Sequence, residues 1–575
     1  MLDVVEALRH VRAREAAGNY AGVIKIKILR NYSAELIDPF VKYYFGQMGL
    51  RCDFSVGGFD TIHQDLFDAD DLRTYDLIVV SLTFEGLDRS GKASAAELLQ
   101  HITAIADLVL EKSPASLILN TFIRPVVDYG GAVHALGSNS LTTCIVDLNQ
   151  KLRTYVAKNS PRCLLIDWER LIMLIGVDMA LDRRMGYVAA APFGLSFLSA
   201  YSYEIFRIGR ALKGAGKKCL ILDCDDTLWG GVIGEAGLEG IDLDPVNYPG
   251  KAFYDFQKAI VRLVDQGIMV ALCSKNNLND VMEVLDSHPH CILKRKHLVS
   301  YRINWEDKER NIEAMIEELN IGMDSILVVD DSPIELERIK TFLPEITVRV
   351  VPQRLYDLPL LLDREGFFDK IATTEEDLNR AKLYQTETRR REVAAQFASV
   401  DDFLASLEIK ARIEPPNASR VPRVSQLTQK TNQFNLTTRR YSEGDISTMV
   451  ESPDHAVFTL TASDRFGDLG LTGLFIARLN GQVASIDTLL MSCRVLGRKL
   501  EQEFVVYCIE ALDKRWQPRR WIAEYVETRK NGQVANFWPI FGFMEETREN
   551  GRIRYSADRT SLKIGHVSYI TVEMP

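Results

Sequence analysis

The chain has 575 residues, 46% hydrophobic and 26% charged, with a formal net charge of −10. Such a composition excludes wholesale disorder, and at roughly 100–200 residues per domain the length predicts about three or four domains. The acidic balance argues against non-specific nucleic-acid binding. No apolar run approaches the roughly 18–20 residues of a membrane helix, and the start Met1-Leu2-Asp3-Val4 lacks the basic stretch of a signal peptide. Nine cysteines without a CxxC pair fit reduced thiols in a cytoplasm, and neither a disulfide framework nor a zinc site.

Along the chain, Val23–Leu29 alternates like a strand, a turn follows at Asn31-Tyr32-Ser33, and Ala34–Met48 has a helical pattern. Leu77–Ser81, Leu117–Asn120 and Leu164–Asp167 read as buried parallel strands. Strands alternating with helices predict a doubly wound α/β layer over about 1–205. A second α/β segment, about 206–370, has short apolar strands at Leu220–Leu222, Met269–Cys273 and Ile326–Val329. Polar residues collect after their C-terminal ends, the edge at which open α/β sheets bind ligands. A charged helical linker is expected over about 371–419, closing at Pro415-Pro416-Asn417. The last segment, 420–575, reads as α+β: strands near Val457–Leu460 and Val483–Leu490, a helix over Lys499–Leu512, and a strand at Trp521–Val526.

The strongest signal lies in the second segment. Leu220-Ile221-Leu222 runs into Asp223-Cys224-Asp225-Asp226-Thr227; other strands end in Ser274-Lys275-Asn276 and in Asp330-Asp331-Ser332-Pro333, and Lys308 lies between them. Carboxylates crowded at a strand end need a neutralising cation. This ordered set resembles the DxDxT, Ser/Thr, Lys and DD motifs of the haloacid dehalogenase superfamily. The resemblance implies Asp223 as nucleophile and Mg2+ ligand, and Asp225 as general acid/base ligating Mg2+ through its carbonyl. It implies Asp330 as a further ligand supported by Asp331, and Ser274, Lys308 and Asn276 as phosphate-binding groups. A hard cation with all-oxygen ligands suits that role. The gaps from Thr227 to about Lys251 and from Ser274 to Lys308 hold no cap domain, so an uncapped, Rossmann-like site is expected, open to a macromolecular partner or walled by a neighbouring domain.

The flanking residues narrow the resemblance. Thr227-Leu228-Trp229-Gly230-Gly231-Val232-Ile233-Gly234-Glu235, Cys273-Ser274-Lys275-Asn276, Asn304-Trp305, Thr431-Asn432-Gln433-Phe434-Asn435, Asp464-Arg465-Phe466-Gly467 and Ser492-Cys493-Arg494-Val495 look like the FkbH-like family. That family implies removal of phosphate from an acyl phosphate of the 1,3-bisphosphoglycerate type. The glyceryl or related acyl group is loaded onto the phosphopantetheine thiol of an acyl carrier protein in polyketide-type biosynthesis. Keeping the acyl group requires a thiol at the carbonyl carbon, so Cys224 and Cys273 are candidates for an acyl-thioester intermediate; each also reads as a small buried hydrophobe. The competing readings are a Mg2+-dependent phosphatase and a silent assembly factor.

The first segment resembles an SGNH-hydrolase or flavodoxin-like fold, with Ser33 at the nucleophile position. Asn31-Tyr32-Ser33 replaces Gly-Asp-Ser, and Asp182-Arg183-Arg184-Met185 lacks the histidine of Asp-x-x-His, so a non-catalytic scaffold is expected. Asn120 reads equally as an oxyanion donor or a turn residue. The last segment resembles the GNAT fold. There Arg494, Gly497 and Arg498 before a helix would hold a pyrophosphate or the carrier's pantetheine arm, although Lys499 stands where a small residue is usual. Basic clusters at Arg389–Arg391, Arg439-Arg440, Arg519-Arg520 and Arg529-Lys530 read as solvated faces or as landing points for an acidic carrier.

Overall fold

A computed structural model describes residues 2–67, 72–88, 92–126, 140–319, 321–371, 397, 399–492, 495–528 and 530–573. The chain divides into two compact units, Met1–Leu212 and Lys213–Pro575. No helix among the described residues is long and apolar enough to cross a membrane.

The first unit is built on five parallel strands: β1 (Gly22–Arg30), β2 (Leu50–Phe59), β3 (Leu77–Ser81), β4 (Ser116–Asn120) and β5 (Cys163–Ile166), in the order β2-β1-β3-β4-β5. Every residue of β3 is buried, as expected of a strand covered on both faces. The helices Ile37–Gln47 and Leu195–Leu212 pack on one face and Ala95–Lys112 and Leu141–Asn159 on the other, giving two separate cores. The helix Leu195–Leu212 runs past the expected boundary at 205, because its apolar stripe from Phe197 to Phe206 belongs to the first of these cores.

The second unit begins with another five-stranded parallel sheet: β6 (Cys219–Leu222), β7 (Met269–Ser274), β8 (Leu298–Ile303), β9 (Ile326–Asp330) and β10 (Thr347–Val350), in the order β10-β9-β6-β7-β8. Its register positions the site. Leu222 lies opposite Leu272 on one side and Val329 on the other, so the residues after β6 emerge level with the ends of β7 and β9. Between Thr227 and the helix Gly250–Asp265 there is only one four-residue helix, Ile233–Ala236; the segment after β7 holds the helix Leu278–Ser287, a short 3-10 turn and β8. Neither segment forms a cap.

The remainder is a nine-stranded, mostly antiparallel sheet. Its strands are β11 (Ile409–Glu414), β12 (Phe434–Asn435), β13 (His455–Asp464), β14 (Gly467–Asn480), β15 (Val483–Met491), β16 (Arg520–Val526), β17 (Met544–Glu549), β18 (Arg552–Asp558) and β19 (Ile570–Glu573). The expected linker over 371–419 ends earlier than the sequence suggested. β11 pairs with β13, and Leu404 and Leu407 enter this domain's core. Residues 372–396, with Arg389–Arg391, lie outside the described residues. Within this unit the helix Val421–Lys430 meets the segment leading into β6. Lys218 Nζ donates to the Lys430 carbonyl at 3.3 Å, and Gly214 (φ 69°) has no room for a Cβ against the Gln429 carbonyl.

Candidate active site

The side chains after β6, β8 and β9 converge. Lys308 opens the helix Lys308–Leu319 and is buried; its Nζ lies 3.1 Å from Asp223 Oδ2 and 2.5 Å from Asp330 Oδ2. Burial opposes its charge, but Asp223 and Asp330 outweigh burial and hold the ammonium above the usual lysine range. Asp330 Oδ1 accepts from the Ser332 amide at 2.9 Å, and the Ser332 hydroxyl in turn caps the helix Pro333–Phe342. Asp223, Asp330 and Asp331 each offer an oxygen within 4.8 Å of the others. Burial, then Asp223, push the Asp330 carboxyl up; burial, then Asp223 and Asp330, push Asp331 up to about 6.

Lys308 brings one positive charge to three carboxylates. Asp223 Oδ1 is buried with no hydrogen-bond partner, and a buried polar atom left alone is rare and costly. A hard divalent cation with an all-oxygen shell fits this donor set and would satisfy both deficits.

Asp225 is held differently. The chain turns sharply after Asp223: Leu228 N donates to the Cys224 carbonyl at 2.8 Å, and Asp226 adopts φ 50° with its carboxylate accepting from Gly231 N at 2.7 Å. Asp225 Oδ1 accepts from the buried Trp229 indole (2.9 Å) and Ile233 N (3.1 Å), and Oδ2 from Asn276 Nδ2 (2.8 Å). Burial is the largest influence and raises this carboxyl, with Asp223 adding to it. A carboxyl near the metal-binding oxygens, raised and fixed by donors, suits proton transfer to a leaving oxygen. Its side chain is outside the three-carboxylate cluster; of the expected metal set, the structure brings together the side chains of Asp223 and Asp330, with Asp331 as the third.

Two assignments change. Asn276, expected to bind phosphate, is buried and uses its amide on Asp225 and its oxygen on Asn277 N (2.9 Å), so it positions the acid/base group. Cys224 and Cys273 are not built as nucleophiles. Each lies in one of the two cores flanking this sheet; burial pushes the Cys273 thiol up to about 12 and the Cys224 thiol well above its ordinary value. A thiol so suppressed supplies almost no thiolate. Ser274 is buried at the end of β7, two residues beyond Leu272, which lies opposite Leu222. Trp229 and Asp331 were legible only in part: Asp331 was a supporting residue, and Trp229 a motif residue without a role.

The residues singled out in the other two segments have partners within the chain where they are described. Ser33 Oγ donates to the Ala189 carbonyl at 2.6 Å, and no histidine among the described residues bonds to it. Asp182 caps the helix Arg183–Ala189. Asn120 accepts from Leu82 N at its oxygen (2.9 Å) and donates from its amide to the Leu82 and Thr121 carbonyls, which makes it a structural tie. In the last domain Arg494 lies outside the described residues. Gly497 has φ 77°, but Arg498 is turned inward, 7% exposed, with its guanidinium 3.5 Å from Asp464 Oδ2. β15 and β16 pair only from Val483 to Ile486 and then part. The gap is filled by the chain itself: β12 pairs with β15, Leu436 N donates to the Leu489 carbonyl and Val526 N to the Leu436 carbonyl. Among the described residues, Arg498 is thus paired and the edge of β15 beyond Ile486 is covered by β12 and Leu436. The basic clusters are largely tied up too: Arg439 pairs with Asp487 and Glu524, Arg440 bonds to the Thr428 carbonyl, Arg520 pairs with Glu546 and Lys530 with Asp324. Arg529 lies outside the described residues.

Residues 218–346 match the family model of NLI interacting factor-like phosphatases. The middle domain thus has the fold of a haloacid dehalogenase-type phosphatase domain. Among solved structures, the chain is similar to the N-terminal part of the protein BF1531 from Bacteroides fragilis, described as containing a phosphatase domain complexed with Mg. Identity is 23%, over 65% of this chain and 100% of that one, at a TM-score of 0.59. Slighter likenesses cover about a quarter of the chain. One is to the ribosomal-protein-S18-alanine N-acetyltransferase from Escherichia coli (15% identity, 26% of this chain and 93% of that one, TM-score 0.21). Another is to the PaiA N-acetyltransferase from Thermoplasma acidophilum in complex with coenzyme A (12%, 26% and 98%, TM-score 0.19). No curated protein matches the chain.

Proposed function

We propose that the middle domain is a Mg2+-dependent enzyme that removes the phosphoryl group from an acyl phosphate or a phosphate ester. The observation that carries this is Asp223: one oxygen 3.1 Å from a lysine shared with Asp330, the other buried and unpartnered beside two more carboxylates. Asp223, Asp330 and Asp331 would hold Mg2+, which supplies positive charge for the phosphoryl oxygens. Asp223 attacks phosphorus and the bond to the leaving oxygen breaks, while Asp225 gives that oxygen its proton. Asp225 then takes a proton from water, which attacks phosphorus, releases inorganic phosphate and frees Asp223. Lys308 neutralises charge on the transferring group, and Asn276, Trp229 and the Ile233 amide keep Asp225 aimed. The test is phosphate release from acetyl phosphate and p-nitrophenyl phosphate, with and without Mg2+. Release that EDTA abolishes and Mg2+ restores is expected; metal-independent release overturns the reading.

A second reading, transfer of the acyl group to a carrier protein, is favoured by the lack of a cap over the site. Because Cys224 and Cys273 are suppressed, the thiol on the carbonyl carbon is the carrier's own. A carbon–sulfur bond forms, the carbon–oxygen bond to phosphate breaks, and the thiol proton leaves on inorganic phosphate. Weighing a pantetheinylated carrier after incubation with an acyl phosphate separates the readings: a mass gain supports transfer, and free acid with unmodified carrier supports hydrolysis alone.

A further inference from the structure

Of the chain's six tryptophans, Trp168, Trp229, Trp521 and Trp538 are fully buried, whereas Trp305 is 71% exposed. An indole left in water while its only polar atom is fixed is an unusual arrangement, since aromatic side chains contribute most when their faces are covered. Trp305 is not loose. Its Nε1 donates to Asn277 Oδ1 at 3.2 Å, Asn277 N donates to Asn276 Oδ1 at 2.9 Å, and Asn276 holds Asp225 Oδ2 at 2.8 Å. The preceding residue, Asn304, donates from its amide to the Ser274 carbonyl at 3.2 Å. The opposite oxygen of Asp225 is held by Ile233 N, and the residue before Ile233 is Val232, 41% exposed. One oxygen of the acid/base carboxyl is thus bound next to the exposed Val232, and the other by Asn276, whose neighbour Asn277 anchors the exposed Trp305.

We propose that Trp305, with Val232, is the specificity-determining element of this site and binds the group attached to the phosphoryl oxygen. With Asp225 as the group that protonates the leaving oxygen, these two side chains are the exposed apolar groups tied to its carboxyl, and the group that oxygen carries would meet them. The substrate class this selects is a phosphate whose leaving group is apolar over several carbon atoms, as in an alkyl, aryl or medium-chain acyl phosphate, in preference to a small polyol phosphate. This rests on the phosphoryl-removal reading and narrows its substrate. Because the anchor is the indole N–H, a phenylalanine at 305 keeps an apolar face but loses its fixed orientation.

The test uses the full chain with Mg2+ and a series of n-alkylphosphonates from methyl to hexyl, titrated by calorimetry. In the wild type, affinity is expected to rise about twofold to threefold per methylene, as for partial burial of each added group. In Trp305→Ala the rise should flatten while methylphosphonate binds as in the wild type, and Trp305→Phe should keep an intermediate slope. Equal affinities along the series in the wild type, or the same slope in Trp305→Ala, overturn the proposal. Phosphate release from acetyl and hexanoyl phosphate distinguishes the two ideas. Chain-length-dependent phosphonate binding without release leaves the recognition element standing and removes the hydrolytic reading; release insensitive to chain length and to Trp305→Ala does the reverse.

Discussion

The first unit and the middle domain each carry a five-stranded parallel sheet with polar residues after the strands, yet the two sheet edges are in opposite states. At the first, apart from the Trp168 indole nitrogen, these side chains are committed to the backbone or to each other. Asn31 and Asn120 bridge to Thr83 and Leu82, Asn149 bonds both backbone groups of Phe122, and Tyr32 and Tyr201 share the Ser81 hydroxyl. Asp167, after β5, is typical: burial would raise it, but Arg153, the Arg170 amide and Thr121 outweigh burial and hold it below its ordinary value. At the second edge Asp225, Asp330 and Asp331 are pushed up, and Asp223 keeps an orphaned oxygen. The same architecture therefore provides a scaffold or a reaction centre according to whether its edge groups are satisfied within the chain or left for a ligand.

Substitutions at matching positions can break this contrast. The largest effect belongs to Asp223→Asn, which should lower Mg2+-dependent phosphate release by at least ~10³-fold, about 4 kcal/mol of barrier. Ser33→Ala, the counterpart at the first edge, should leave release unchanged; a loss there would make that edge catalytic. Asn120→Ala should act the other way, leaving release intact while costing about 2–4 kcal/mol in urea unfolding of the first unit. It orphans the buried Leu82 N–H and carbonyl together.

A smaller effect sharpens the contrast through pH. Asp331 titrates at about 6 in the folded chain against about 3.9 when unfolded. Between those values the folded state keeps a proton that the unfolded state has lost, so stability of the metal-free protein should fall as pH rises from 4 to 6 and level off above. Thermal unfolding of the wild type and Asp331→Asn across that window should show a shallower decline in the variant, and Mg2+ should flatten the wild-type curve. Asp167 has the opposite sign: its contribution is present above the unfolded value and lost as pH falls through its depressed folded value, so Asp167→Asn should narrow the acid-induced loss below about pH 4. Parallel slopes for the wild type and Asp331→Asn would remove the electrostatic difference between the two edges.

Buried strands were legible because they are short runs of branched apolar residues: Leu77–Ser81, Leu220–Leu222 and Ile326–Val329 all lie within observed strands. β2 was not, because Leu50–Phe59 is a half-exposed edge strand with polar residues and two glycines. β11 was not, because the charges of the preceding stretch suggested continued helix, while its alternation of buried and exposed positions becomes decisive only once β13 is beside it.

What the residues alone determined was the chemistry available: carboxylates after β6 and β9, and a lysine between them, in an order that makes sense only at one edge of a parallel sheet. Only the tertiary structure decided which groups were still free. It turned Asn276 toward Asp225 and Arg498 toward Asp464, closed the gap between β15 and β16 with the chain's own segment, and sealed both cysteines in apolar layers. The reason is physical: a side chain's type fixes what it can bond, but its availability depends on distant partners, and burial changes both the proton it holds and the cost of leaving it alone.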